Sequence, residues 1–146
     1  MTNNKYREYF DIDERYFPCI DDAAIDAGAP WENTYPHSTF IDMLTEMERA
    51  LARQNGKRTL WIEGAYGTGK SQCALALRRI LEAPEEKLRE YWDRYEPLKQ
   101  KTDLREKLIG HKKKGIIVAH RYASGDIRSP RDLFFAVQES VKAALV

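Results

Sequence analysis

The sequence predicts an α/β fold of three layers, with helices on both faces of a parallel sheet. Three observations carry that expectation. Arg58-Thr59-Leu60-Trp61-Ile62-Glu63 is rich in β-formers and has the length of a buried strand. Gly115-Ile116-Ile117-Val118-Ala119-His120 is a near-continuous apolar run, as in a strand covered on both faces. Around and between them lie segments whose apolar residues recur at helical spacing, so strand and helix alternate along the chain.

Composition narrows the setting. A chain of 146 residues suits one domain. Its 42% hydrophobic and 32% charged content is that of a globular protein rather than a disordered one. The net charge of +1 makes no global electrostatic case for nucleic acid, though it leaves room for a local patch. No apolar run approaches a membrane span, and Met1-Thr2-Asn3-Asn4-Lys5 is too polar for a signal peptide. A cytoplasmic protein without membrane contact is the default expectation. Cys19 and Cys73 lie far apart without metal-ligand spacing, and Cys73 reads as a small core residue.

Residues 1–35 read as an aromatic and acidic N-terminal arm. Tyr6, Tyr9, Phe10, Tyr16 and Phe17 alternate with Asp11, Asp13, Glu14 and Arg15, and Pro18 and Pro30 interrupt any long element. Asp21 to Ala27 can form one short helix closed by Gly28, its carboxylates more simply a solvated first turn than a metal site. So many aromatics predict that the arm packs on its own domain or on a neighbour. Residues 36–146 form the main unit. Ser38 or Thr39 is placed to cap a helix whose buried face is Phe40, Ile41, Leu44, Met47 and Leu51. Asp42, Glu46, Glu48, Arg49 and Arg53 fall on its solvent face, and Asn55-Gly56 ends it.

Next comes the stretch with recognisable chemistry. Gly64-Ala65-Tyr66-Gly67-Thr68-Gly69-Lys70-Ser71 matches the Walker A form G-x-x-x-x-G-K-[ST] without a mismatch. A triphosphate needs several donors converging on it, so the loop must curl with its backbone N–H groups inward. Gly64, Gly67 and Gly69 permit that curl. Lys70 would reach the outer phosphates as a point charge. The Ser71 hydroxyl would take one position on Mg²⁺. Cys73, Ala74, Leu77, Ile80 and Leu81 mark a helix after the loop, and its N-terminal dipole adds positive potential facing the phosphates. Gln72, at its start, is counted with the nucleotide site. ATP with Mg²⁺ is the expected ligand. Tyr35, Pro36 and His37 read first as a capping turn and alternatively as the flank of an adenine ring.

A helical insert is expected at about residues 84–112. Pro84-Glu85-Glu86 opens a helix with the stripe Leu88, Tyr91, Trp92, Tyr95 and Leu98. Thr102 is placed to cap a second helix carrying Leu104, Leu108 and Ile109 and ended by Gly110. His111-Lys112-Lys113-Lys114 with Arg121 is a basic cluster open to nucleic acid, but four charges at a turn are usually just solvated. Neither His111 nor His120 has ligand-like neighbours. Ser124-Gly125-Asp126 is loop. Ser129, Pro130 and Asp132 start a last helix whose buried face is Leu133, Phe134, Val137, Val141, Ala144 and Leu145.

A sheet-based nucleoside triphosphatase needs a second acidic motif, an apolar strand ending in Asp and often Glu. His120 stands where that acid would be, and no other stretch supplies it. The expectation is therefore an incomplete N-terminal portion of a longer protein. The loop, the helix before its strand and the strand and helix after it resemble the P-loop ATPases of the AAA+ and STAND grouping, in the additional-strand class. More narrowly, Tyr66-Gly67-Thr68-Gly69-Lys70-Ser71 looks like the N-terminal ATPase of large prokaryotic phage-defence proteins of the BREX type. The resemblance implies a P-loop NTPase fold and ATP hydrolysis coupled to conformational change, in phage defence or DNA transactions. It also implies partners in the rest of a longer chain or in an oligomer. The acid, sensor residue and arginine finger of such families map onto no residue here, so the catalytic residues are unassigned. A small-molecule kinase and a non-catalytic nucleotide-binding interaction module are the alternatives.

Overall fold

Helical stripes along this chain find their partners in one another. The computed structural model describes residues 31–56, 58–121 and 127–145. Among them every regular element is helical and no strand forms. A short 3₁₀ turn, Trp31–Asn33, precedes α1 (Ser38–Leu51), and a second, Gln54–Gly56, follows it. Then come α2 (Lys70–Glu82), α3 (Glu85–Arg94), α4 (Glu96–Lys99), α5 (Thr102–Lys113) and α6 (Pro130–Ala144). The expected short helix at Asp21–Ala27, the arm's aromatics, Cys19 and the loop at Ser124–Asp126 lie outside the described residues.

The α/β fold class is corrected by this architecture, and with it the resemblance to P-loop ATPases. Those proteins are built on a parallel sheet, and here both expected strands lie outside regular structure. An isolated extended segment leaves its N–H and C=O groups without a ladder, so it becomes a strand only beside a partner. At 60–63 and 116–119 exposure alternates residue by residue. Leu60, Ile62, Ile116 and Val118 are half-buried, while Trp61, Glu63, Ile117 and Ala119 are exposed. Leu60 and Ile62 rest against the helical core as a flank rather than its centre.

That core is supplied by α1 to α5. Phe40, Leu44, Ile80, Leu88, Tyr91, Trp92, Leu98 and Leu108 are fully buried in it. α5 packs against both α1 and α3, and the Trp31–Asn33 turn packs on α2. The expected stripe at 88–98 is buried except for the half-buried Tyr95, which stands between the two helices that share it. Tyr95 leaves helical geometry at φ −112°, ψ 120° before Pro97, which has no N–H to continue the α3 ladder. Gly110 sits inside α5 rather than ending it. The end comes at Gly115, whose φ of 86° provides the left-handed stop.

Polar contacts tie the helices down. The Tyr91 hydroxyl donates to Thr34 O at 2.7 Å and the Tyr95 hydroxyl to Glu32 O at 2.8 Å, which fixes the turn before α1. Burial pushes the Tyr91 phenol well above its usual range, so it stays a donor. Arg89 spans from Glu85 (2.7 Å) to Glu106 (2.8 Å), joining α3 to α5. The Arg89 guanidinium holds both carboxyls below their ordinary value of 4.5, helped by Lys113 at Glu85 and by Arg105 at Glu106. A folded pKa below the unfolded one stabilises above the unfolded value, and that stabilisation is lost as pH falls through the folded one. The melting temperature is therefore expected to fall as pH drops below 4.5, with a shallower fall in Arg89→Leu. A pH series of thermal melts checks both curves, and identical slopes would contradict the pairing.

One helix stands apart from this core. α6 starts as its sequence predicts: Ser129 Oγ accepts from Asp132 N at 3.2 Å and donates to Asp132 Oδ2 at 2.8 Å. The Ser129 hydroxyl, and then the Arg128 N–H, hold the Asp132 carboxyl below its usual range. Its expected buried face is corrected. Leu133, Phe134, Val137, Val141 and Leu145 are exposed, and Ala136 is its buried residue. No helix among the described residues is long and apolar enough to cross a membrane.

Candidate phosphate-binding loop

The loop Gly64–Ser71 is carried by α2, and the helix is fixed from its far end. Its sequence is rich in good helix formers, and Cys73, Ala76, Leu77 and Ile80 join the core, while Leu75 is buried outside that cluster. Of the expected stripe Leu81 is half-buried against the core and Ala74 is exposed, while Ala76 joins the core in its place. Burial raises the Cys73 thiol pKa, which keeps it protonated and inert as a core residue. At the C-terminus the Lys112 ammonium donates to Ile80 O at 3.0 Å and to Leu81 O, taking up carbonyls the helix leaves open. Pro84 follows and stops the chain from continuing as helix.

The opposite end of α2 faces solvent. Gly69 is the N-cap residue at φ 78°, ψ 15°, and Gly67 also has a positive φ of 79°. A side chain at either would meet no atom within 4 Å, so what demands glycine there is the left-handed backbone. Gly64 is different. A Cβ there would lie 3.0 Å from Thr68 Oγ1, closer than an ordinary contact, so a side chain at 64 would push on the Thr68 hydroxyl. The first helical bond, Cys73 N to Gly69 O, is 2.9 Å long. Gly69 brings no capping side chain, so the first-turn amides of Lys70, Ser71 and Gln72 have none from it.

Inside the loop, one carbonyl gathers the polar side chains. Thr68 Oγ1 donates to Ala65 O at 2.8 Å, and Lys70 Nζ donates to the same oxygen at 2.5 Å. Sequence reasoning missed this acceptor, because nothing in Ala65 marks its carbonyl in advance. The residues from Gly64 to Gly69 and Ser71 are exposed, with Tyr66 at the tip wholly so, while Lys70 and Gln72 are half-buried. The sequence-predicted set Gly64, Ala65, Tyr66, Gly67, Thr68, Gly69, Lys70, Ser71 and Gln72 is thus one loop leading into one helix end.

Other candidates are placed elsewhere. His37, rather than Ser38 or Thr39, caps α1, its Nδ1 accepting from Phe40 N at 3.3 Å. Tyr35 lies edge-on to Tyr95 with ring centres 5.7 Å apart, and Pro36 is buried, as a capping turn with aromatic packing requires. Two residues of the basic run turn inward: His111 Nε2 lies 3.1 Å from Glu48 Oε1 and Lys112 caps α2, while Lys113, itself exposed, pairs with Glu85 at 3.3 Å. Glu48, expected on the solvent face of α1, is only 5% exposed. Among the described residues no group of three or more His, Cys, Asp and Glu side chains gathers as a metal site. Compared with protein-family models, curated proteins and solved structures, the chain finds no match.

Proposed function

We propose that Gly64–Ser71 binds the phosphates of a nucleoside triphosphate, such as ATP, at the N-terminus of α2. One observation carries the reading: a full G-x-x-x-x-G-K-[ST] sequence runs straight into the open end of a 13-residue helix. The left-handed Gly67 and Gly69 support it, since alternating backbone handedness turns successive N–H groups into a concave anion nest. Lys70 supports it too. Its ammonium already lies within the loop, and a phosphate oxygen is a stronger acceptor than the neutral Ala65 carbonyl it now contacts. The Ser71 hydroxyl, exposed in the first turn, fits one ligand position of a phosphate-bound Mg²⁺. That ion would neutralise phosphate charge and orient its oxygens. Because the loop is exposed, charge alone acts weakly there, and the backbone donors must share the work.

Calorimetric titration of Mg²⁺-ATP, tripolyphosphate and adenosine into wild type and Lys70→Ala tests this. Wild type is expected to bind ATP and tripolyphosphate but not adenosine. A charge-assisted hydrogen bond contributes about 1.5–3 kcal/mol, so Lys70→Ala should bind roughly 10- to 100-fold more weakly. Equal affinity in the two proteins, or binding that follows adenosine, contradicts the proposal.

A further inference from the structure

We infer that Thr68 is a positioning residue of the phosphate loop, an inference that rests on the reading of Gly64–Ser71 as a phosphate site. Its hydroxyl holds the loop curled while Lys70 passes from the Ala65 carbonyl to a phosphate. Two donors share that carbonyl, Thr68 Oγ1 at 2.8 Å and Lys70 Nζ at 2.5 Å. A carbonyl oxygen has two lone pairs, so both bonds stand together. They differ in what draws them away. The lysine is long and charged, and an anion in the loop is the better acceptor for it. The threonine is short and stiff at χ1, so its hydroxyl stays with the backbone three residues before it. When Lys70 turns to a phosphate, Thr68 keeps Ala65 O paired and the turn between them closed.

That turn shapes the anion nest. Tyr66 and Gly67 are its two middle residues, and Gly67 has φ 79°, the positive value that a type II turn requires at its third position. Thr68 stands between Gly67 and Gly69, the two left-handed residues on which the nest depends. Glycine-rich backbone samples many conformations, and a loop already fixed across 65–68 loses less freedom on binding. The Thr68 bond joins two neutral groups, so Thr68 acts on the shape of the loop and Lys70 on its field. Gly64 bears on the same bond from the other side. A Cβ at 64 would lie 3.0 Å from Thr68 Oγ1, whereas the nearest Lys70 atom would be at an ordinary 3.7 Å. Gly64 is not among the glycines of positive φ, so alanine there acts by displacing the Thr68 hydroxyl rather than by straining backbone.

Calorimetric titration of tripolyphosphate with Mg²⁺ into the loop variants tests this. Thr68→Val should bind roughly 3- to 10-fold more weakly, the contribution of one neutral hydrogen bond, and Thr68→Ser should stay within about twofold of wild type. The salt dependence of binding should be unchanged in Thr68→Val and shallower in Lys70→Ala, which loses a charge. Gly64→Ala should weaken binding in the wild-type background and have little further effect beside Thr68→Ala, because both remove the same bond. Melting temperatures should match wild type throughout, since the exposed loop lies outside the core. Wild-type affinity in Thr68→Val, no recovery in Thr68→Ser, or independent losses at 64 and 68 would overturn the inference. A Lys70→Ala that still binds weakly would then leave the phosphate site standing. A wild type that does not bind tripolyphosphate overturns both.

Discussion

Trp92→Ala is expected to lower the free energy of unfolding by about 3–5 kcal/mol, the largest effect of any single truncation proposed for this chain. Trp92 is fully buried where α3, α4 and α5 meet, with its ring 6.0 Å from that of Tyr91. Its indole N–H donates to Lys101 O at 3.1 Å, at the entry to α5. Alanine removes the ring, leaves a cavity and takes one of two donors from that carbonyl, which keeps the Arg105 N–H at 3.2 Å. Small domains hold only about 5–15 kcal/mol in total, so the variant should be marginal at room temperature. Trp92→Phe keeps most of the volume and should recover more than half of the loss. Urea unfolding followed by far-ultraviolet circular dichroism checks both, and a loss under about 1 kcal/mol for alanine would mean that the helices do not share one core.

The second large effect concerns a polar contact inside that core. Glu48 on α1 is buried, and the partner of its carboxylate is His111 on α5 at 3.1 Å. His111→Ala leaves a buried acceptor unpaired, at a cost of about 1–3 kcal/mol. Replacing both groups together with leucine removes the unmet polar group along with the bond, so the double variant should be more stable than His111→Ala alone. Thermal melts of Glu48→Leu, His111→Leu and the double variant form a double-mutant cycle. Additive losses would show that the two side chains do not interact.

What could be read from the chain divides along a physical line. The loop was legible because its requirements are local: glycines for left-handed turns, a lysine and a serine at fixed offsets, and a helix to follow. The start of α6 was legible for the same reason, since Ser129, Pro130 and Asp132 act within one turn. The strands were misread because a short apolar run reads alike as a strand and as a segment lying on helices. What decides is a neighbour for the backbone, and neither 58–63 nor 115–120 has one here. Glu48 was assigned to solvent because the helical period says nothing of a histidine 63 positions away. The α6 stripe was correctly amphipathic and wrongly covered, since a stripe declares that it needs a partner without naming one. Of the basic run, His111 and Lys112 are spent on contacts with α1 and α2, while Lys113 and Lys114 stay exposed, as charges at a turn usually do.

These corrections change the weight that the loop must bear. Its reading no longer draws on a family fold and rests on its own residues: two left-handed glycines, one inward lysine and the uncapped end of α2. Amide proton–nitrogen correlation spectra, recorded while Mg²⁺-ATP is added, test that most directly. The account predicts that the largest shifts fall on Gly67, Gly69, Lys70, Ser71 and Gln72, that tripolyphosphate reproduces them and that Lys70→Ala suppresses them. Shifts centred on any other segment, or none at millimolar ligand, would contradict it.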